Sequence, residues 1–179
     1  MSSKIFKNKK IKIGILGGSF DPPHIGHLKI SRFAIKKFNL DQLIWIITKK
    51  NPFKKKPYFN IKKRIFLSKK ILNKNNKIKI NFLEPKIKSN KTYAAINYLK
   101  KKNKNASLFF LMGADNLISF HRWHQWSKIP NKAKILVFDR NGYKTKAIKS
   151  IAAKKLKNKD WQFIKFKKVN ISSSKINKN

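Results

Sequence analysis

The 179-residue chain contains no cysteine, which excludes disulfides, thiolate metal ligands and cysteine nucleophiles together. Acidic residues are almost as scarce, 6 Asp+Glu against 46 Lys+Arg, for a formal net charge of +40. Only 4 of those bases are Arg (Arg32, Arg64, Arg122 and Arg140). No apolar run approaches the roughly 18 residues that a membrane span needs, and no signal-peptide core follows Met1. A cytoplasmic protein with no membrane partner is expected. With 41% hydrophobic and 12% aromatic residues the chain is globular, not disordered, and its length suits one domain with a real core.

What is abundant is lysine, isoleucine and asparagine, at 42, 25 and 19 residues. A positive surface of this size attracts polyanions, nucleic acid included. Arginine is the side chain suited to bidentate phosphate and base recognition, and it is the base this chain uses least. Lys, Ile and Asn share A/T-rich codons, so the charge reads first as mutational bias on exposed positions. A lysine-rich nucleic-acid-binding module remains the distant alternative, and no specific nucleic-acid partner is expected.

Residues 1–10 read as a short basic arm, ahead of a single domain over 11–179. Ile11–Leu16 reads as a buried strand ended by Gly17-Gly18, followed by a helix over Gly26–Phe38. Further strands are expected at Leu43–Ile47, Ile78–Phe82, Ser107–Met112, Lys134–Phe138 and Trp161–Phe166. Helices with Ile61, Ile65 and Leu72, and with Thr92, Ala95, Ile96 and Leu99, lie between them. This alternation implies βαβ units, hence an α/β fold with a mainly parallel sheet of five to six strands and helices on both faces. Ligand loops then lie at the carboxyl ends of the strands.

The densest constellation follows the first strand: Gly17-Gly-Ser-Phe-Asp-Pro-Pro-His-Ile-Gly-His-Leu28. Its glycines permit a turn and close approach of backbone to phosphate, but their spacing is not the dinucleotide fingerprint. His24 and His27, three residues apart at a helix start, would put two imidazoles and a helix N-terminus around one point, a site for phosphoryl oxygens. A protein-held metal is disfavoured, since Asp21 is the only close carboxylate and no third His is near. A second constellation is Leu111-Met-Gly-Ala-Asp-Asn-Leu117 with Phe120-His-Arg-Trp-His-Gln-Trp126. There Gly113 would admit a base against the backbone and Asp115 would accept from adenosine donors. Trp123 and Trp126 are either core aromatics or a stacking platform. A third, Ile171-Ser-Ser-Ser-Lys-Ile176, reads as an N-cap or as a polar tail.

The first segment resembles the nucleotidylyltransferase signature, Gly-Gly-Thr/Ser-Phe-Asp-Pro followed by His-x-Gly-His. The second is similar to that of bacterial nicotinate-nucleotide adenylyltransferases. Weaker similarities are Asn51-Pro-Phe-Lys54, Lys91-Thr-Tyr-Ala-Ala-Ile96 and Val137-Phe-Asp-Arg-Asn-Gly-Tyr143. The resemblance implies a Rossmann-like fold and transfer of AMP from ATP to nicotinate mononucleotide, with deamido-NAD and pyrophosphate as products. Another phosphate acceptor, such as nicotinamide mononucleotide, is the nearer alternative. It implies His24 and His27 as catalytic residues. ATP would be held by Gly17, Gly18, Ser19, Phe20, Gly113, Asp115, Ser172, Ser173 and Ser174. Asp21, Lys54, Thr92, Trp123 and His124 would bind the mononucleotide, with Trp123 stacked on its ring. Mg2+ would be held mainly by ATP phosphates. Two departures stand out: Asn177 where the family has Arg, and an end at Asn179 where the family continues through a further helix.

Overall fold

A computed structural model describes residues 10–50, 56–73 and 75–166. The described strands are β1 (Lys12–Gly18), β2 (Gln42–Ile47), β3 (Ile78–Asn81), β4 (Ser107–Gly113), β5 (Ala133–Phe138) and β6 (Trp161–Ile164). All neighbours pair in parallel, in the order β3-β2-β1-β4-β5-β6. The chain winds outward from β1 through β2 to β3, then returns to place β4 on the other side of β1. The strand order reverses there, and an α/β sheet opens a crevice at the carboxyl ends of its strands at such a point. The expected α/β architecture is present.

The described helices are α1 (Ile25–Phe38), α2 (Ile61–Leu72), α3 (Glu84–Ile87), α4 (Thr92–Lys102), α5 (Ala114–Ser119), α6 (Lys144–Ile148) and α7 (Ile151–Lys155). The pleat sorts alternate strand residues to opposite faces. Ile13, Ile15, Ile44, Ile46, Leu108, Phe110, Ile135 and Val137 join one core, closed by α4, α5 and α7. Leu16, Leu43, Trp45, Ile47, Leu111, Leu136 and Phe138 join the other, where α1 contributes Leu28 and Ala34 and α2 contributes Leu72. Among the described residues no helix is long and apolar enough to cross a membrane.

Two local expectations are corrected. Gly17 and Gly18 do not turn the chain: β1 runs through both, pairing with Ile46 and Ile47, because glycine accepts extended geometry wherever a neighbour supplies the ladder. The turn falls later, at Phe20, whose φ is +48°. On α2 the buried positions are Arg64, Ser68 and Leu72, while Ile61 and Ile65 are only half-buried. That is the expected face, since Ile61 and Ile65 pack against the same core as Leu72, and a buried guanidinium with enough acceptors takes a core position beside them. β6 stops at Ile164, short of Phe166. The short helices α3, α5, α6 and α7, with 3-10 turns at Phe120–Arg122 and Trp126–Lys128, were not anticipated. Segments of three to six residues span too few turns to show periodicity.

Candidate active site

The first helical turn of α1 is built by its two histidines. His24 is the N-cap, extended at φ −145° and ψ 169°, and its Nδ1 accepts from Gly26 N–H at 3.1 Å. His27 Nδ1 accepts from His24 N–H at 3.2 Å. The pair forms a reciprocal capping box, a job usually given to Ser or Thr with Glu or Gln. An Nδ1 that accepts carries no proton, so each neutral ring carries its proton on Nε2. The ring centroids lie 3.8 Å apart, and α1 has no acidic residue in its first turn. Two imidazole N–H donors and a positive helix end thus share one place, an arrangement suited to phosphoryl oxygens.

A column of rings supports them. Phe20 packs 4.7 Å from His27 and stacks at 4.8 Å on Trp45, which is wholly buried. Trp45 Nε1 donates to Ser31 Oγ at 2.8 Å, and that hydroxyl donates to the His27 carbonyl at 2.8 Å. The histidines are therefore referenced to the sheet through β2.

The loop before α1 is held from the other side. Left-handed backbone at a bulky residue such as Phe20 is unfavourable by about 1–3 kcal/mol and persists only where the surroundings enforce it. The Asp21 carboxylate accepts from Tyr58 N–H at 2.6 Å and from Phe59 N–H at 2.9 Å. Arg64 Nη1 donates to the Ser19 carbonyl at 2.6 Å. Burial pushes the Arg64 guanidinium down from its ordinary value, while the carboxylates of Asp21 and Glu84 pull it back up. Sequence reasoning missed Arg64, Trp45 and Ser31. The one usable signal was that Arg64 is one of only 4 arginines in a chain that otherwise uses lysine.

On the opposite face of the sheet, beside the end of β1, lies a cleft with about 390 Å³ of empty space, part of it open to solvent. Gly17, Thr48, Glu84, Lys91, Thr92 and Phe110 are among its lining residues. A Cβ on Gly17 would meet nothing nearer than Phe110 at 3.8 Å, so the protein's own packing does not demand glycine there. Thr92 opens α4. Trp123 is half-buried, its ring 5.3 Å from Phe120 and 6.4 Å from Phe110, and so packs on the same face as Thr92. His124 beside it is exposed.

At the end of β4, Gly113 has backbone angles open to any residue, φ −78° and ψ 155°. What it lacks is space: a Cβ would collide with Asp115 Oδ1. Asp115 Oδ2 is bridged at 2.6 Å by Arg140 Nη1, from the segment after β5, while Oδ1 has no partner among the described residues. The fold thus collects Gly17 to Asp21, His24, His27, Thr92, Gly113, Asp115 and Trp123 around the carboxyl ends of β1 and β4. Lys54, Ser172, Ser173, Ser174 and Asn177, with residues 1–9 of the expected arm, lie outside the described residues.

A parallel sheet reversing at β1, with paired histidines capping the next helix, is the arrangement that the resemblance to nucleotidylyltransferases implies. The family model described as cytidylyltransferase-like matches residues 15–179. The chain belongs to the nicotinate-nucleotide adenylyltransferase family within that class, being 54% identical over 170 residues to a probable nicotinate-nucleotide adenylyltransferase of Pelagibacter ubique (strain HTCC1062), across 95% of this chain and 94% of the relative. A probable nicotinate-nucleotide adenylyltransferase of Ruegeria sp. (strain TM1040) is 39% identical over 79% of this chain and 75% of its own. Among solved structures, Plasmodium falciparum nicotinic acid mononucleotide adenylyltransferase complexed with NaAD superposes with a TM-score of 0.73 at 20% identity, covering 94% of this chain and 83% of the other. A putative nicotinate-nucleotide adenylyltransferase from Vibrio parahaemolyticus superposes with a TM-score of 0.60 at 19% identity, over 71% and 76% of the two chains. These structural likenesses carry the fold.

Proposed function

We propose that the protein transfers AMP from ATP to nicotinate mononucleotide, giving deamido-NAD and pyrophosphate. The observation that carries this reading is the pair of imidazoles whose Nδ1 atoms are committed to backbone at the start of α1. A phosphate oxygen of the mononucleotide attacks the α-phosphorus of ATP, the bond from that phosphorus to the bridging oxygen breaks, and pyrophosphate leaves. No enzyme nucleophile is required. The protein positions two anions and stabilises charge as it builds on the transferred and departing groups. Nε2–H of His24 and His27 supplies that stabilisation. Backbone of Gly17 to Phe20 binds phosphate, while the Phe20 ring acts as a buried support under His27. Asp21 shapes the loop that closes the acceptor side through its bonds to Tyr58 and Phe59.

Thr92 and the cleft beneath it receive the mononucleotide, with Trp123 as the aromatic surface for the pyridine ring and His124 at its edge. Lys54 is the further residue given to the mononucleotide. Gly113 and Asp115 face the adenosine, and Ser172, Ser173 and Ser174 meet the outer phosphates. No group of three or more His, Cys, Asp or Glu among the described residues forms a metal cage. Magnesium, on ATP phosphate oxygens and water, would offset triphosphate charge. The setting is cytoplasmic.

A pyrophosphate-release assay run with each mononucleotide and with ATP or CTP tests the reading; it requires ATP and nicotinate mononucleotide to be the productive pair. Trp123→Ala should raise KM for the mononucleotide roughly 10–100-fold, from a stacking contribution of about 1–3 kcal/mol, with KM for ATP within a factor of two. A rise confined to ATP would place Trp123 on the other substrate. Gly113→Ala should displace the Asp115 carboxylate and weaken ATP roughly tenfold while leaving the mononucleotide alone, a difference that steady-state kinetics with each substrate varied would read.

A further inference from the structure

Arg64 is only 1% exposed, and no role with substrate has been given to its side chain. All of its hydrogen bonds go to backbone carbonyls: Nε to Phe59 at 3.0 Å, Nη1 to Ser19 at 2.6 Å and Thr48 at 2.7 Å, and Nη2 to Lys49 at 3.0 Å. Burying a guanidinium carries a desolvation penalty, and an apolar side chain would fill the same volume without it. What an apolar residue cannot do is turn carbonyls toward itself.

In a trans peptide the C=O and the N–H point in opposite directions. The Gly18 carbonyl accepts from Thr48 N–H at 3.0 Å, and the Ser19 carbonyl accepts from Arg64. Both carbonyls are therefore drawn toward the β2 and α2 side of β1. The next two amide N–H groups, those of Ser19 and Phe20, are turned the other way, toward β4, which flanks β1 on its opposite edge. No described residue accepts from either N–H. Successive amides meeting at a left-handed residue form a concavity for an anion, and Phe20 is such a residue.

We infer that Arg64 is a positioning residue for phosphate binding: it fixes the Ser19–Phe20 peptide so that the Ser19 and Phe20 N–H groups point into the crevice between β1 and β4 and hold phosphate oxygens of ATP. This rests on ATP as the nucleotide substrate. The same guanidinium joins the signature loop to both ends of the segment between β2 and α2, through Thr48, Lys49 and Phe59. Lysine keeps the charge, but its donors radiate from one nitrogen and cannot span four carbonyls.

The test is binding of α,β-methylene-ATP and of adenosine to Arg64→Lys, by calorimetry, with thermal unfolding and kcat measured on the same protein. Adenosine has no phosphate, so the ratio of the two affinities isolates the phosphate contribution. Arg64→Lys should weaken α,β-methylene-ATP at least tenfold, lower kcat about 100-fold and leave adenosine within twofold. Unchanged affinity for the analogue, or equal weakening of both ligands, overturns the inference, since a merely structural role moves both or neither. Arg64→Met, which keeps volume and removes every donor, should shift the ratio further; should it fail to fold, the lysine variant read below its unfolding temperature decides. The ratio reports on Arg64 whichever mononucleotide the wild type accepts, so failure to form deamido-NAD would count against the acceptor and not against this residue's role.

Discussion

Replacing His27 with alanine is expected to lower kcat by about 10²–10³-fold, the usual effect of removing one preorganised donor from developing transition-state charge. The fold should survive. The alanine loses one capping hydrogen bond, that from His24 N–H, for about 1 kcal/mol. Both substrates should still bind, so kcat and kcat/KM should fall together. His27→Asn separates the two roles of the ring: its amide oxygen can accept from His24 N–H and preserve the cap, but it lacks an N–H at the position of Nε2. If stability returns in the asparagine variant and turnover does not, the loss in alanine is chemical. Near-normal turnover in either variant would contradict the role given to Nε2–H.

Trp45→Ala should be the most destabilising of the substitutions considered. The side chain is wholly buried, stacks under Phe20 and donates to Ser31. Truncating a buried aromatic of this kind removes about 3–5 kcal/mol. For a domain of this size that corresponds to roughly 6–20 °C in Tm. Activity should fall too, measured well below Tm, because Phe20 and then His27 lose the surface that sets their height above the sheet. Trp45→Phe keeps a ring in the column and removes only the bond to Ser31, so it should recover most of the stability. Equal thermal losses in the two variants would show that the hydrogen bond, and not the stacked ring, holds the column.

The strands themselves and the carboxyl-end location of the site followed from the sequence because the strands are either continuous apolar runs or cleanly alternating, as in Ser107–Gly113 and Ile78–Asn81; the strand order came only with the fold. His24 and His27 were legible because a helix start so close to two imidazoles leaves few other geometries. The limits were physical as well. Glycine marks possible turns but does not oblige them, which is why β1 continued through Gly17 and Gly18. The turn at Phe20 is a tertiary result: a bulky residue in left-handed backbone has no local propensity behind it and depends on Arg64 and Asp21, the first of them over 40 residues away in sequence. Gly113 was expected to admit a nucleotide base, yet its own neighbour Asp115 already occupies the space over its Cα. Nothing in the local sequence reveals that curl of the side chain. The excess of lysine said least, and the few residues that depart from it, the two capping histidines, Asp21, Asp115 and Arg64, proved to hold the site together.

The most direct measurement is the product formed when the protein is given ATP with equal concentrations of nicotinate mononucleotide and nicotinamide mononucleotide, followed by separation of the dinucleotides. Deamido-NAD should accumulate in equal amount with pyrophosphate and exceed NAD at every early time point. Predominant NAD, or consumption of ATP with neither dinucleotide formed, would contradict the assignment.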